Sequence, residues 1–400
     1  MTWPWRAVLI LAAALTLLSW ALAHVGIAFG GQFIPPGPGY PAPAEHLPDL
    51  FRFDSVHYRS IAEAGYSFSG NLTENTNLVF APLFPLMVRG LSAFTNFSAV
   101  DAGFLLNKVL LVGGTFFWLL YLSKAFDART AIVCVFAVST SAALYALNGY
   151  YSEPTFLFFF GVCCWAHLRQ KWVVLAVSCA AMGASRLTAF PVAAVFAAEF
   201  IVRTFRDRVD AANARKNFLL AAACLSGTIL YLGYVELTFG DPFALLPAIQ
   251  KSAWGRFHGD ISWSRLASGQ YLFEYPAAAV KRGPGTLFDS RTINLFWMIT
   301  GLLAGVHLML RYRDRVIAWA YAAYILMVYW GDASSEYLIS SHRFIAVLPA
   351  TFVVFSDMLR WIGRRNRSVG LTLAGVLTLL NVSFGLFMTA MFNQGRWPYF

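Results

Sequence analysis

The sequence predicts an all-α integral membrane protein, a bundle of about eleven transmembrane helices with a first outer loop carrying interfacial helices. Three observations carry the prediction. Hydrophobic residues make up 58% of the chain and charged ones 12%, about half the share usual in soluble domains. Apolar stretches approaching the roughly 20 residues that cross a hydrocarbon core recur from end to end. The short basic turns between them all land on one side of the count.

We place spans near 7–26, 103–123, 131–148, 154–168, 172–187, 189–202, 217–238, 292–310, 316–330, 344–359 and 369–391. Arg6, Lys124 with Arg129, Arg169 with Lys171, the basic loop from Arg203 to Lys216, Arg311 to Arg315 and Arg360 to Arg367 then share one face, which the positive-inside rule makes cytoplasmic, with the N-terminus. The start of the chain mimics a cleaved signal peptide, but its apolar run is long for one, so an uncleaved first span is expected. The long polar segments lie on the outer side: a first outer loop, 27–102, with the candidate catalytic segment, the short turn Asn148–Pro154, a second long loop, 240–291, and 331–343. One transmembrane domain over 1–400 is expected.

Segment 78–95 resembles a span in apolarity, but Pro82, Pro85 and Arg89 interrupt it, and counting it would invert every later basic loop. It reads as a re-entrant or interfacial helix starting near Pro85. Residues 34–48 are a Pro/Gly linker that returns the chain to the membrane. No solenoid period and no inverted duplication is evident.

The net charge of +10 sits in brief turns at span ends rather than on one surface with aromatic platforms, so no nucleic-acid partner is expected. All five cysteines fall within predicted spans without CxxC or His spacing, which indicates neither a disulfide framework nor a zinc site. Asn71 and Asn96 fit the glycosylation pattern only weakly. Lys108, inside a span, is expected to face the interior or reach the outer interface.

The candidate chemistry lies on the outer side. Asp54 opens a helix-like run, 55–64, in which Asp54, His57 and Tyr58 share a face. On local signal Asp54 reads as an N-cap, and a capping Asp can still be catalytic. In the turn Asn148–Pro154, Glu153 reads as a sugar-hydroxyl ligand or a partner for Arg186, against the plainer reading of an ordinary interhelical turn. Arg186 and Arg343 lie at outer span ends, where snorkelling is the default, yet two cations there suit a bound phosphate. Gln250, Trp254 and Arg256, in the second long loop, add hydrogen bonds and an aromatic platform for a sugar.

The run Phe53-Asp54-Ser55-x-His57-Tyr58-x-x-Ile61-Ala62-x-x-Gly65-Tyr66, followed by Phe80-Ala81-Pro82-Leu83-Phe84-Pro85-Leu86, resembles the first outer loop of PIG-V type mannosyltransferases of the GT-C superfamily. Tyr151-Ser152-Glu153, Ser185-Arg186, the stretch from Phe239 to Arg256 and Arg343-Phe344 with Pro349 extend the likeness over most of the chain. The family usually has Trp at position 53 and Phe-Phe-Pro at 80–82; both departures spare the acid.

The resemblance implies a GT-C-like bundle in a compact bacterial relative. It also implies a polyprenyl- or dolichyl-phosphate mannose donor, used at the outer face of the plasma membrane on a glycolipid or glycan acceptor. The expected reaction is an inverting displacement with Asp54 as base, His57, Arg186 and Arg343 at the donor phosphate, and Tyr58, Glu153, Gln250, Trp254 and Arg256 at the substrate. No metal or other cofactor is expected, because there is no DxD pair and arginines neutralise phosphate. A lipid-linked-sugar transporter or flippase is the main alternative, a non-catalytic scaffold the third.

Overall fold

The computed structural model describes residues 3–37, 47–71, 76–245, 269, 290–333 and 340–396. Among the described residues there are fifteen α-helices and no strand. In chain order they are α1 (Trp5–Phe33), α2 (Asp54–Ala64), α3 (Leu83–Thr95), α4 (Ala99–Ala125), α5 (Ala128–Ser139), α6 (Leu144–Asn148), α7 (Glu153–Leu168) and α8 (Trp172–Ser185). There follow α9 (Phe190–Arg206), α10 (Ala211–Phe239), α11 (Ser290–Tyr312), α12 (Val316–Ala333), α13 (Ser341–Ala346), α14 (Val353–Arg365) and α15 (Arg367–Asn393). Short 3₁₀ turns at Asn77–Val79, Leu187–Ala189 and Pro349–Phe352 complete the order.

Six helical segments are long and apolar enough to cross a membrane, and five shorter apolar helices accompany them among the described residues. Every predicted span falls on helix. Two of them, 131–148 and 344–359, are broken, the first into α5 and α6, the second into α13, a 3₁₀ turn and α14. Polar side chains satisfy the freed backbone, as membrane-embedded breaks require. Thr140 Oγ1 donates to Phe136 O at 3.0 Å, Asn381 Nδ2 to Ala137 O at 2.8 Å, and Thr351 Oγ1 to Ile345 O at 2.8 Å. The breaks meet where Ser141 Oγ donates to Ala346 O at 3.2 Å.

Lipid is as apolar as leucine, so close backbone approach rather than water exclusion holds such helices together. At the crossing of α8 and α10, a Cβ on Gly227 would lie 1.8 Å from Ala180 O. Gly227→Ala is therefore expected to destabilise by about 1–3 kcal/mol, seen as a lower unfolding midpoint in detergent. Gly233→Ala on the same helix, with open space around it, should leave the midpoint nearly unchanged.

Segment 78–95 forms one 3₁₀ turn and α3, with Pro85 in the first turn of the helix. α2 and α3 are tied together at the C-terminus of α2, where the Gly65 N–H reaches Ile61 O at 3.0 Å and the last carbonyls take further donors. Arg89 supplies them, Nε to Ala62 O at 2.7 Å and Nη2 to Ile61 O at 2.9 Å. Gly65 follows at φ 91°, a left-handed conformation suited to glycine. The pair packs through Tyr58, Ile61, Phe84 and Val88 against Ala102 of α4 and Tyr150, so Asp54 rides on a braced unit.

Candidate active site

Asp54 is the first residue of α2, and Phe53 before it sits at φ 53°, uncommon for a bulky side chain. Neighbours hold that turn in place. Tyr151 Oη donates to Arg52 O at 3.2 Å, Arg52 N to Ser55 Oγ at 3.2 Å, and the Phe53 ring lies 5.3 Å from that of Phe392. The carboxylate Oδ2 meets Arg343 Nη2 at 2.7 Å, so residues nearly 300 positions apart in the chain pair here.

Glu153, 1% exposed, opens α7 and brings two cations together. Arg186 Nη1 lies 2.6 Å and Arg343 Nε 3.5 Å from its Oε1. These are ion contacts outside hydrogen-bond geometry: neither Glu153 oxygen nor Arg343 Nε has an aligned partner. Aromatic faces complete the seat, with Arg186 4.5 Å and Arg343 5.0 Å over the Phe344 ring, and Arg343 5.3 Å over Tyr151. Two carboxylates and two guanidiniums sum to zero charge. A guanidinium carries about five N–H donors, so the three contacts leave capacity for another anion.

A cavity of about 140 Å³ opens beside this cluster, lined by Asp54, Tyr58, Phe80, Arg186, Arg343 and Phe344 among others. Tyr58 is fixed by Ser152 Oγ at 2.7 Å from its Oη. Glu153 stands behind the arginines rather than on the cavity wall. His57 is also off the wall: its ring stacks on Phe80 at 5.1 Å. Burial lowers the His57 pKa from its usual 6.5, against the pull of Asp54, so the imidazole is neutral at pH 7. The unfolded chain then binds more protons as pH falls below 6.5, and stability drops in that window. His57→Gln should flatten that acid limb in unfolding titrations begun near about pH 7.

Gln250, Trp254 and Arg256 lie outside the described residues. Lys108 turns inward, its Nζ 2.6 Å from Asn148 Oδ1. Sequence reasoning missed what holds Arg343. His342, fully buried, meets Tyr145 Oη through Nε2 at 2.9 Å and Asn294 Oδ1 through Nδ1 at 2.7 Å, which locks α13 between α6 and α11. The one available signal was an ionisable pair, His342-Arg343, entering an apolar run. Among the described residues, no three His, Cys, Asp or Glu side chains gather as a metal would need.

No protein-family model matches the chain, and no characterised protein matches it significantly in sequence. Its fold does match. A crystal structure of the Archaeoglobus fulgidus oligosaccharyltransferase, complexed with zinc and sulfate, superposes with a TM-score of 0.52 at 14% identity, over 97% of this chain and 53% of that one. The apo form of the same enzyme gives 0.48 at 12% identity, over 98% and 56%. The chain thus spans about half the length of the oligosaccharyltransferase it matches. Its architecture is that of an all-α membrane protein of the GT-C-like type.

Proposed function

We propose that this chain is a glycosyltransferase that moves a sugar, mannose by its sequence resemblance, from a polyprenyl-phosphate donor to an acceptor hydroxyl. The observation that carries the reading is the 2.7 Å contact of Asp54 with Arg343 on the wall of one cavity. The acceptor O–H gives its proton to Asp54 while its oxygen bonds to the anomeric carbon from the face opposite the phosphate. The carbon–oxygen bond to phosphate breaks, and its electron pair leaves on the phosphate, inverting the centre. Negative charge thus passes from Asp54 to the leaving group, and Arg343, released from the protonated acid, is free to meet it together with Arg186.

At about 140 Å³ the cavity is below the roughly 300–1,000 Å³ of ordinary small-molecule pockets, so it houses the reacting end and leaves the prenyl chain in the membrane. With two guanidiniums for the phosphate, no metal is needed, and EDTA is expected to leave the rate unchanged. Arg129 of α5, Arg311 of α11, Arg315 in the turn after it and Arg360 of α14 gather away from Asp54, which supports placing the site on the outer face of the membrane, a bacterial plasma membrane by the sequence resemblance.

Two broken helices also favour one alternative, a lipid-linked-sugar transporter, since transporters build sites at such breaks. Purified protein in liposomes with radiolabelled polyprenyl-phosphate-mannose and glycolipid acceptors separates the two. Labelled glycolipid plus free polyprenyl phosphate is the expected result. Donor that crosses the bilayer intact, with no new bond, would overturn it.

A further inference from the structure

At the end of the bundle opposite Asp54, arginines from three segments converge on one hollow. Asn294 of α11 bonds His342 beside the candidate active site, and Tyr312 lies roughly 27 Å farther along the same helix at 1.5 Å per residue. That distance is close to the roughly 30 Å of a hydrocarbon core, so the hollow lies at the headgroup level of the other leaflet. Its volume is about 280 Å³, and its charged lining is Asp127, Asp357, Arg311, Arg315, Arg360 and Arg364. Four guanidiniums against two carboxylates leave an excess of two positive charges.

Both acids are already engaged. Asp357 Oδ2 accepts from Tyr312 Oη at 2.8 Å and meets His307 Nε2 at 2.8 Å, with Arg311 Nε at 3.5 Å. Asp127 accepts from the Thr130 N–H at 2.8 Å and the Thr130 hydroxyl at 2.9 Å. Arg360 bridges Asp127 and Asp357. Arg315 donates to the carbonyl of Ala125 and lies 4.7 and 4.8 Å over the rings of Phe126 and Tyr312. The positive-inside rule asks only for basic residues in turns. It does not ask for them to be fastened around a cavity.

The helix that Asp127 caps, α5, and the one that carries Asp357, α14, also form an apolar groove of about 300 Å³. Ile132 and Phe136 of α5 and Phe355 and Leu359 of α14 face Leu377 and Phe384 of α15. We infer that the hollow and groove together bind an anionic membrane phospholipid, its phosphate among the arginines and an acyl chain in the groove. The site is independent of the transfer reaction. Free phosphate shares the arginine chemistry but would gain nothing from the groove.

Native mass spectrometry of the full-length protein titrated with phosphatidylglycerol, phosphatidylcholine or inorganic phosphate tests this. Phosphatidylglycerol is expected to bind in preference to both. The double variant Arg311→Gln/Arg364→Gln, two exposed residues whose one contact with an acid is the exposed 3.5 Å approach of Arg311 to Asp357, should bind it about 30-fold more weakly. Its lipid-free unfolding midpoint should equal the parent's, and Leu377→Gln should weaken lipid but not phosphate. Equal binding of the two phospholipids, or a double variant that binds like the parent, would overturn the inference. Inorganic phosphate binding as tightly as the lipid would replace it with a simple anion site.

Discussion

Asp54→Asn is expected to slow sugar transfer by about 10²–10⁴-fold, the usual worth of a general base, while the protein stays folded. Asparagine matches the size of aspartate and still offers an oxygen to Arg343, but it cannot take a proton at neutral pH. The loss should therefore appear in the single-turnover rate and not in donor binding. The carboxylate is 16% exposed and Arg343 keeps Glu153 nearby, so the unfolding midpoint should move little. Charge transfer adds a second signature. The Asn variant lacks the negative charge that normally occupies Arg343, so the released polyprenyl phosphate should bind it at least as tightly as the parent. A variant that transfers at the parental rate would remove Asp54 from the role of base. One that fails only by unfolding would make the Asp54–Arg343 contact purely architectural.

Much of this architecture can be read from composition and spacing, because apolar runs and basic turns report the two solvents a membrane helix must satisfy. Hydropathy averages over a window, however, and so passes through Thr140-Ser141 and Val347-Leu348, where the helices break. A break costs little in mean apolarity when single side chains, Asn381 from α15 and Thr351 from the break itself, supply the missing hydrogen bonds. The same distinction divides the site. Glu153, Arg186 and Arg343 stand out as charges at apolar span ends, and Asp54 as the acid that opens the helical run of the first outer loop, a signal each carries locally. Of their pairings the sequence offers only Glu153 with Arg186, seen at 2.6 Å; those of Arg343 with Asp54 and Glu153 do not show, because packing alone brings these segments together. Asn294 and Tyr145 are invisible for a related reason: each is an unremarkable polar side chain until His342, itself marked only as the ionisable neighbour of Arg343, lies between them. His57 is placed at the donor phosphate by its type and position, and burial beside Phe80 makes its charged form costly, which the sequence does not show.

Arg343→Met should be the most destabilising single change in the site, by about 3–5 kcal/mol, because it removes one partner of a buried charge cluster and leaves the others. Arg343 is 7% exposed and lies between Asp54 at 2.7 Å and Glu153 at 3.5 Å. Without it the four-charge group loses its neutrality and holds two carboxylates against Arg186 alone. Methionine fills much of the space but brings no charge, so the desolvation penalty of the acids goes unanswered. Arg343→Lys keeps the charge but not the planar fork, and should recover part of the stability while transfer remains impaired. Glu153→Gln in the Arg343→Met background removes one of the stranded charges. The double variant should therefore be more stable than the sum of the single changes predicts, with a coupling of roughly 0.5–3 kcal/mol in unfolding experiments. Additive effects would mean that Glu153 and Arg343 do not share one electrostatic unit. In that case Glu153 could not be what holds the two arginines at the cavity, and the placement of the leaving phosphate between them would lose its physical basis.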